Sequence, residues 1–134
     1  MTKLTTCCLL LAASVPVLAI AEPIALRCVY TEVSFSAAYM SQPETRACPQ
    51  SRCYYELRFD SAGAAEGRVN DVGGYTVTVE DSRYRLVRQA KNIVVGGMDR
   101  ASFSINRDDL SYSSSKSTPP AVVLETSGQC QPVQ

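Results

Sequence analysis

The strongest constraint on this chain is an alternation with a period of two. In Cys53-Tyr54-Tyr55-Glu56-Leu57-Arg58-Phe59-Asp60 the odd positions are apolar, while Glu56, Arg58 and Asp60 between them are charged. Gly74 to Glu80 repeats the pattern with Tyr75, Val77 and Val79, and Arg100 to Asn106 with Ala101, Phe103 and Ile105. Successive side chains of a strand point to opposite faces, so each stretch reads as a strand with one buried and one wet face. Less regular segments at Ile24 to Val33, Arg83 to Arg88, Ile93 to Val95, Leu110 to Ser114 and Ala121 to Thr126 are read the same way.

Turn signals separate these segments at short intervals: Ser61-Ala62-Gly63, Asp71 to Gly74, Gly96-Gly97, Asn106 to Asp109 and Thr118-Pro119-Pro120. Connections this short leave no room for repeated helical crossovers. The expected fold is therefore all-β, a small antiparallel meander forming a sandwich or a barrel. One helix candidate exists, Phe35 to Met40, a turn or two ahead of Pro43. Ser111 to Pro120 (SYSSSKSTPP) reads as a strand end running into a mobile loop.

The amino terminus has its own pattern. Lys3 precedes 18 uncharged residues, Leu4 to Ala21, which end in Ala19-Ile20-Ala21 before Glu22-Pro23. A basic start, an apolar run and a small-x-small exit describe a cleaved secretory signal. A membrane anchor competes, since the run approaches spanning length. Pro16, the small-residue exit and the acid that follows favour cleavage after Ala21. Cys7 and Cys8 lie too early for a lipid-modified terminus. The expectation is a leader over 1–21 and one β domain over 22–134, periplasmic or secreted and without stable membrane insertion after cleavage. That domain carries 13 acids against 12 bases, a formal charge of −1. A net charge this small supplies no strong field for nucleic acid or an anionic membrane.

Outside the leader four cysteines remain: Cys28, Cys48, Cys53 and Cys130. An even number in an exported chain reads as two disulfides. Cys28 with Cys130 and Cys48 with Cys53 is the favoured pairing, which would join the two ends of the domain and clasp the loop CPQSRC. The crossed pairing, Cys28 with Cys53 and Cys48 with Cys130, stays open. Four-cysteine zinc sites show two close pairs or histidine partners, and thiol oxidoreductases show C-x-x-C. This chain has one close pair at C-x4-C spacing and no histidine.

The missing histidine removes the Ser-His-Asp and Cys-His schemes and the commonest metal ligand. Ser113-Ser114-Ser115-Lys116 matches S-x-x-K, but that motif depends on a helical turn and on partner motifs absent here. Glu80-Asp81 and Asp108-Asp109 are adjacent acids at turns, whereas glycosidase carboxylates face each other across a cleft. Calcium at Asp108-Asp109 with Asn106 lacks the usual ligand ladder. No cofactor is expected. Arg83, Arg85 and Arg88, near Lys91, form the one basic cluster. Arg83 and Arg85 share a strand face opposite Tyr84 and Leu86. This cluster reads either as a site for an acidic partner or as a charged face protecting an edge strand.

Several short elements carry a resemblance: Leu26-Arg27-Cys28, Phe103-Ser104-Ile105-Asn106-Arg107, Leu110-Ser111-Tyr112 and Gly128-Gln129-Cys130. Together they resemble small exported bacterial β-rich proteins of uncharacterised function, which implies a secreted or periplasmic β-meander and brings no activity. The expected architecture is also similar to that of periplasmic lysozyme inhibitors, small disulfide-bonded barrels whose loops plug an enzyme cleft. Ser82-Arg83-Tyr84 resembles a stretch that some of them use, although the glycine is missing and the chain has no tryptophan.

The functional expectation is an exported, non-enzymatic binding or accessory module of the bacterial envelope, with an unknown protein or envelope component as partner. Its candidate contact residues are Arg83, Tyr84, Arg85 and Arg88, and Pro49, Gln50 and Arg52 of the CPQSRC loop. Inhibition of a lysozyme-type hydrolase is the alternative, and a carboxylate-dependent enzyme is the contrasting class.

Overall fold

The computed structural model describes residues 21–48 and 53–133; the expected leader up to residue 20 and the loop residues Pro49, Gln50 and Arg52 lie outside them. Ten strands run in chain order: β1 (Pro23–Tyr30), β2 (Glu32–Ser36), β3 (Glu44–Ala47), β4 (Tyr54–Asp60) and β5 (Gly67–Val69), followed by β6 (Val72–Val79), β7 (Arg83–Lys91), β8 (Met98–Asn106), β9 (Ser111–Thr118) and β10 (Val122–Pro132). Strands β1, β4, β5, β6, β7, β8, β9 and β10 pair antiparallel in that order, and β10 pairs back with β1. The result is a closed eight-stranded barrel, with the β2–β3 hairpin attached beyond β10.

The alternation read from sequence decides which residues fill it. Leu57 and Phe59 of β4, Tyr75 and Val77 of β6, and Phe103 and Ile105 of β8 are all buried, together with Leu26, Leu86 and the Cys28–Cys130 disulfide. Arg58, Thr76 and Thr78 between them are exposed. An eight-stranded barrel has an interior just wide enough for side chains to fill. Aromatic rings do much of that filling, Phe103 meeting Tyr55 edge-on at 5.0 Å and Tyr75 at 6.1 Å. Apolar residues inward and polar residues outward is the reverse of the arrangement in a lipid-embedded barrel.

Several expectations are corrected. The segment from Ile24 to Val33 is two strands, broken at Thr31, because β10 accepts the two halves separately. β10 pairs with β2 over Val123 to Glu125 and with β1 over residues 128–132, while β9 holds its other edge. Where β10 meets β1, a Cβ on Gly128 would overlap the Val29 carbonyl oxygen, so only glycine fits this close approach.

Phe35 to Met40 is not helical. Phe35 and Ser36 complete β2, and a turn follows in which the Met40 N–H donates to the Ala37 carbonyl. So few residues cannot offset the cost of nucleating a helix when strand partners are at hand. Ile93 to Val95 is not a strand but the tip of the β7–β8 hairpin. Ser111 to Thr118 is a full strand held on both edges, so the expected strand end continues through Thr118 where a mobile loop was expected, with Pro119 and Pro120 in the turn that follows. The expected turn at Asp71 to Gly74 sits one residue earlier. Asn70 and Asp71 both have positive φ, 48° and 65°, the conformation of a two-residue hairpin turn that Asn and Asp tolerate. The short β3 and β5 were hidden by weak patterning.

The register also explains CPQSRC. Glu32 faces Ala47 and Val29 faces Tyr54, so a step of three residues on one side answers a step of seven on the other. Four residues are inserted at that point, the number between the two cysteines. The Cys48 N–H donates to the Thr31 carbonyl and the Tyr30 N–H to the Cys53 carbonyl, on either side of the insertion. Cys48 and Cys53 are disulfide-bonded. The ring is a clasped insertion in one long hairpin whose strands are β1–β2 and β3–β4.

Candidate functional site

The interior face changes character along the barrel. Cross-strand partners place Tyr84, Ile105, Tyr112 and Gly128 in one row, Leu86, Phe103, Ser114 and Thr126 in the next, and Arg88, Ala101, Lys116 and Leu124 in the third. Toward the end carrying the β5–β6, β7–β8 and β9–β10 turns, the lining thus passes from apolar groups through hydroxyls to cations. Strand spacing puts Arg88 and Lys116 about 10 Å apart across one intervening strand. The residue between them is alanine, whose small side chain leaves the space open.

That space is a cavity of about 330 Å³ lined by Val69, Asn70, Tyr75, Arg88, Asp99, Arg100, Ala101 and Lys116, among others. Arg88 acts on Tyr75: burial pushes its phenol up, and the guanidinium charge partly offsets the rise. The Lys116 ammonium lies 5.8 Å from the centre of the Tyr55 ring. Below it the Ser114 and Thr126 hydroxyls are hydrogen-bonded to each other, and the Tyr112 hydroxyl reaches Thr126 at 3.3 Å. Burial raises the Tyr112 phenol to about 12, and burial followed by the neighbouring Tyr30 raises Tyr55. The hydroxyls are therefore neutral donors and acceptors. Among the described residues no carboxylate lies within ion-pair distance of Arg88 or Lys116.

The structure separates the cluster expected at Arg83 to Arg88. Arg83 and Arg85 face outward and meet one carboxylate, Glu80, at 3.8 and 3.1 Å. Tyr84 points inward, its ring 5.0 Å from Phe59, with the Arg107 guanidinium stacked on it at 5.0 Å. Arg88 is on the Tyr84 and Leu86 face, inside the far end of the barrel. Nor does this arginine face protect an edge, since β7 is paired on both sides. Pro49, Gln50 and Arg52 lie outside the described residues; the cysteines flanking them adjoin β1 beside Tyr30 and Thr31.

Two of the turn acids, Glu80 and Asp109, stand in structural roles. Glu80 holds the two arginines, and Asp109 accepts from the Ser111 N–H and hydroxyl, which keep its carboxyl below its ordinary range. Among the described residues no three of Cys, Asp and Glu gather as a metal site. Ser113 and Lys116 fall on opposite faces of β9, so S-x-x-K brings no serine of that spacing to the lysine.

Lys116, Ala101, Tyr75 and Asn70 were not read from sequence as residues of one site. Carrying the period of two through the serine run would have placed Lys116 on the face of Tyr112 and Ser114. Comparison of the chain with protein-family profiles, curated proteins and solved structures finds no match. Two disulfides suit an oxidising, extracytoplasmic compartment. Among the described residues no helix is long and apolar enough to cross a membrane.

Proposed function

We propose that this protein is an exported, non-enzymatic binding module of the bacterial envelope, periplasmic or secreted, that takes an anionic group of its ligand into the open end of the barrel. One observation carries the reading: Arg88 and Lys116 flank Ala101 on the interior face of a cavity of about 330 Å³, and neither meets a carboxylate among the described residues. Lys116 is exposed and Arg88 half-buried, so an anion at the mouth meets two cations, of which Arg88 is the one partly shielded from water and attracts more strongly. Asn70, Tyr75 and the hydroxyls beneath supply the hydrogen bonds that orient it.

The inhibitor reading through Arg83, Tyr84 and Arg85 draws less support, because two of these residues are engaged by Glu80 and the third packs inward. A carboxylate-dependent enzyme draws less still, since Glu80 and Asp109 already have structural partners.

Titration calorimetry with inorganic phosphate and with a short dicarboxylate tests the proposal. Saturable binding is expected, weakened about tenfold or more by Arg88→Ala or Lys116→Ala, as for loss of a charge-assisted hydrogen bond. Heats that stay flat at millimolar anion, or that ignore both substitutions, would overturn it.

A further inference from the structure

The β7–β8 hairpin extends two residue pairs past the strands beside it, with Gly97 still close to Pro119 of the β9–β10 turn. β6 accompanies β7 only as far as Val87, and β9 accompanies β8 only from Arg100. Beyond both points Ala90 and Lys91 pair with Asp99 and Met98 alone. At the tip Ile93 is 91% exposed and Val94 87%, with Val95 and Met98 also exposed. Consecutive large apolar side chains held in water at the end of a projection mark an interaction element rather than ordinary surface.

The tip is also held in one shape. The Asn92 side chain accepts from the Val94 and Val95 N–H groups and donates to Asp99 Oδ1. Its backbone carbonyl accepts from the Gly96 N–H, and its own N–H donates to the Gly97 carbonyl. Gly96 and Gly97 have φ of 77° and 80°, conformations that favour glycine, and a Cβ on Gly97 would run into Pro119. A projection ordered before contact loses little further entropy on binding. Charge then selects the occupant. Residues 92–98 carry no charge, Lys91 and Arg100 stand at the base, and the nearby Asp99 is hydrogen-bonded to Asn92.

We infer that the hairpin docks reversibly on an anionic lipid bilayer, with Ile93, Val94 and Val95 in the boundary between headgroups and acyl chains and Lys91 and Arg100 against the headgroups. An apolar wedge whose base carries two cations against the one acid Asp99 complements that surface on both counts. The contact is peripheral and shares only Arg100 with the lining of the anion cavity, so it goes beyond the anion reading.

Co-sedimentation with vesicles of mixed phosphatidylglycerol and phosphatidylcholine, and of phosphatidylcholine alone, provides the test. Binding to the anionic vesicles is expected, falling as salt is raised. Ile93→Asp with Val94→Asp abolishes it, and Lys91→Glu weakens it about fivefold or more. Unchanged melting curves and retained phosphate binding in these variants show that the fold and the barrel mouth are intact. Absence of wild-type binding, or equal binding to both vesicle types, overturns the inference. So does a dimer in solution that Ile93→Asp dissolves without any vesicle binding, which assigns the tip to a second copy of the chain.

Discussion

Cys28 and Cys130 face each other directly across the β1–β10 ladder, so their disulfide crosses the seam at which the barrel closes. The bridge spans 102 residues of sequence and lies in the core, Cys28 being 0% exposed. The Cys48–Cys53 bridge spans five. Loop-closure entropy grows with the length enclosed, so the two bridges differ in weight. Replacing both Cys28 and Cys130 by alanine is expected to cost about 2–5 kcal/mol, against roughly 2 kcal/mol at most for the Cys48 and Cys53 pair. Urea unfolding of the two double variants measures the difference. A larger cost for the short ring would contradict the assignment of the seam as the main constraint.

Gly128 is the second point on which closure depends. Alanine there places a methyl group into the Val29 carbonyl and against the Tyr112 ring, and the backbone can yield only by opening the β1–β10 ladder. Gly128→Ala is expected to lose about 1–3 kcal/mol, the range for overpacking. Chemical denaturation checks this, and slow hydrogen exchange at the β1 amides is expected to quicken in parallel.

Phe103 and Ile93 make a paired test of inside against outside. Phe103 is 1% exposed and touches both Tyr55 and Tyr75, so Phe103→Ala is expected to cost about 3–5 kcal/mol. Ile93→Ser removes an apolar group already in water and should shift stability by no more than about 0.5 kcal/mol. Equal effects would mean that the hairpin tip is packed in solution.

Alkaline pH probes the buried hydroxyls. A tyrosine in the unfolded chain ionises near pH 10, whereas Tyr112 in the fold holds its proton to about 12. Between these values the unfolded chain has released a proton that the folded protein retains, so stability falls as pH rises through the window. Tyr55 and Tyr75 shift in the same direction and add to the slope. Phenolate absorbance during titration should show a late-ionising group that Tyr112→Phe removes, and that variant's stability should fall less steeply over the same range.

How far the sequence was legible depended on whether a segment's pattern survived its neighbours. Tyr55, Leu57 and Phe59, like Phe103 and Ile105, announced a buried face because each has charged or small polar residues beside it. The disulfide pairing is favoured from even cysteine number and from the place of Cys28 and Cys130 near the two ends, with the crossed pairing open until the strands are paired. Ser115 to Thr118 failed because serine carries no clear inside or outside preference, and what makes this half of β9 a strand is pairing to β8 and β10. Lys116 was lost with it, and with Lys116 half of the candidate site. Ile93 to Val95 failed for the opposite reason, since β-branched composition suggested a strand where Asn92 and the two glycines impose a turn. Arg83 and Arg88 looked alike as letters. Their opposite parity on β7 sends one to Glu80 and the other into the barrel mouth.

The seam has one further consequence. The Val133 N–H donates to the Ala25 carbonyl, so the described chain finishes alongside the strand with which it began. A protein joined in this way is almost a circle, and the place where the circle is cut matters little to its geometry. A short linker between these ends, with a new break in the 37–43 turn of the appended hairpin, would give a permuted protein with every barrel strand kept whole. Such a chain would set the order in which strands are made against the order in which they fold, with the native contacts left unchanged.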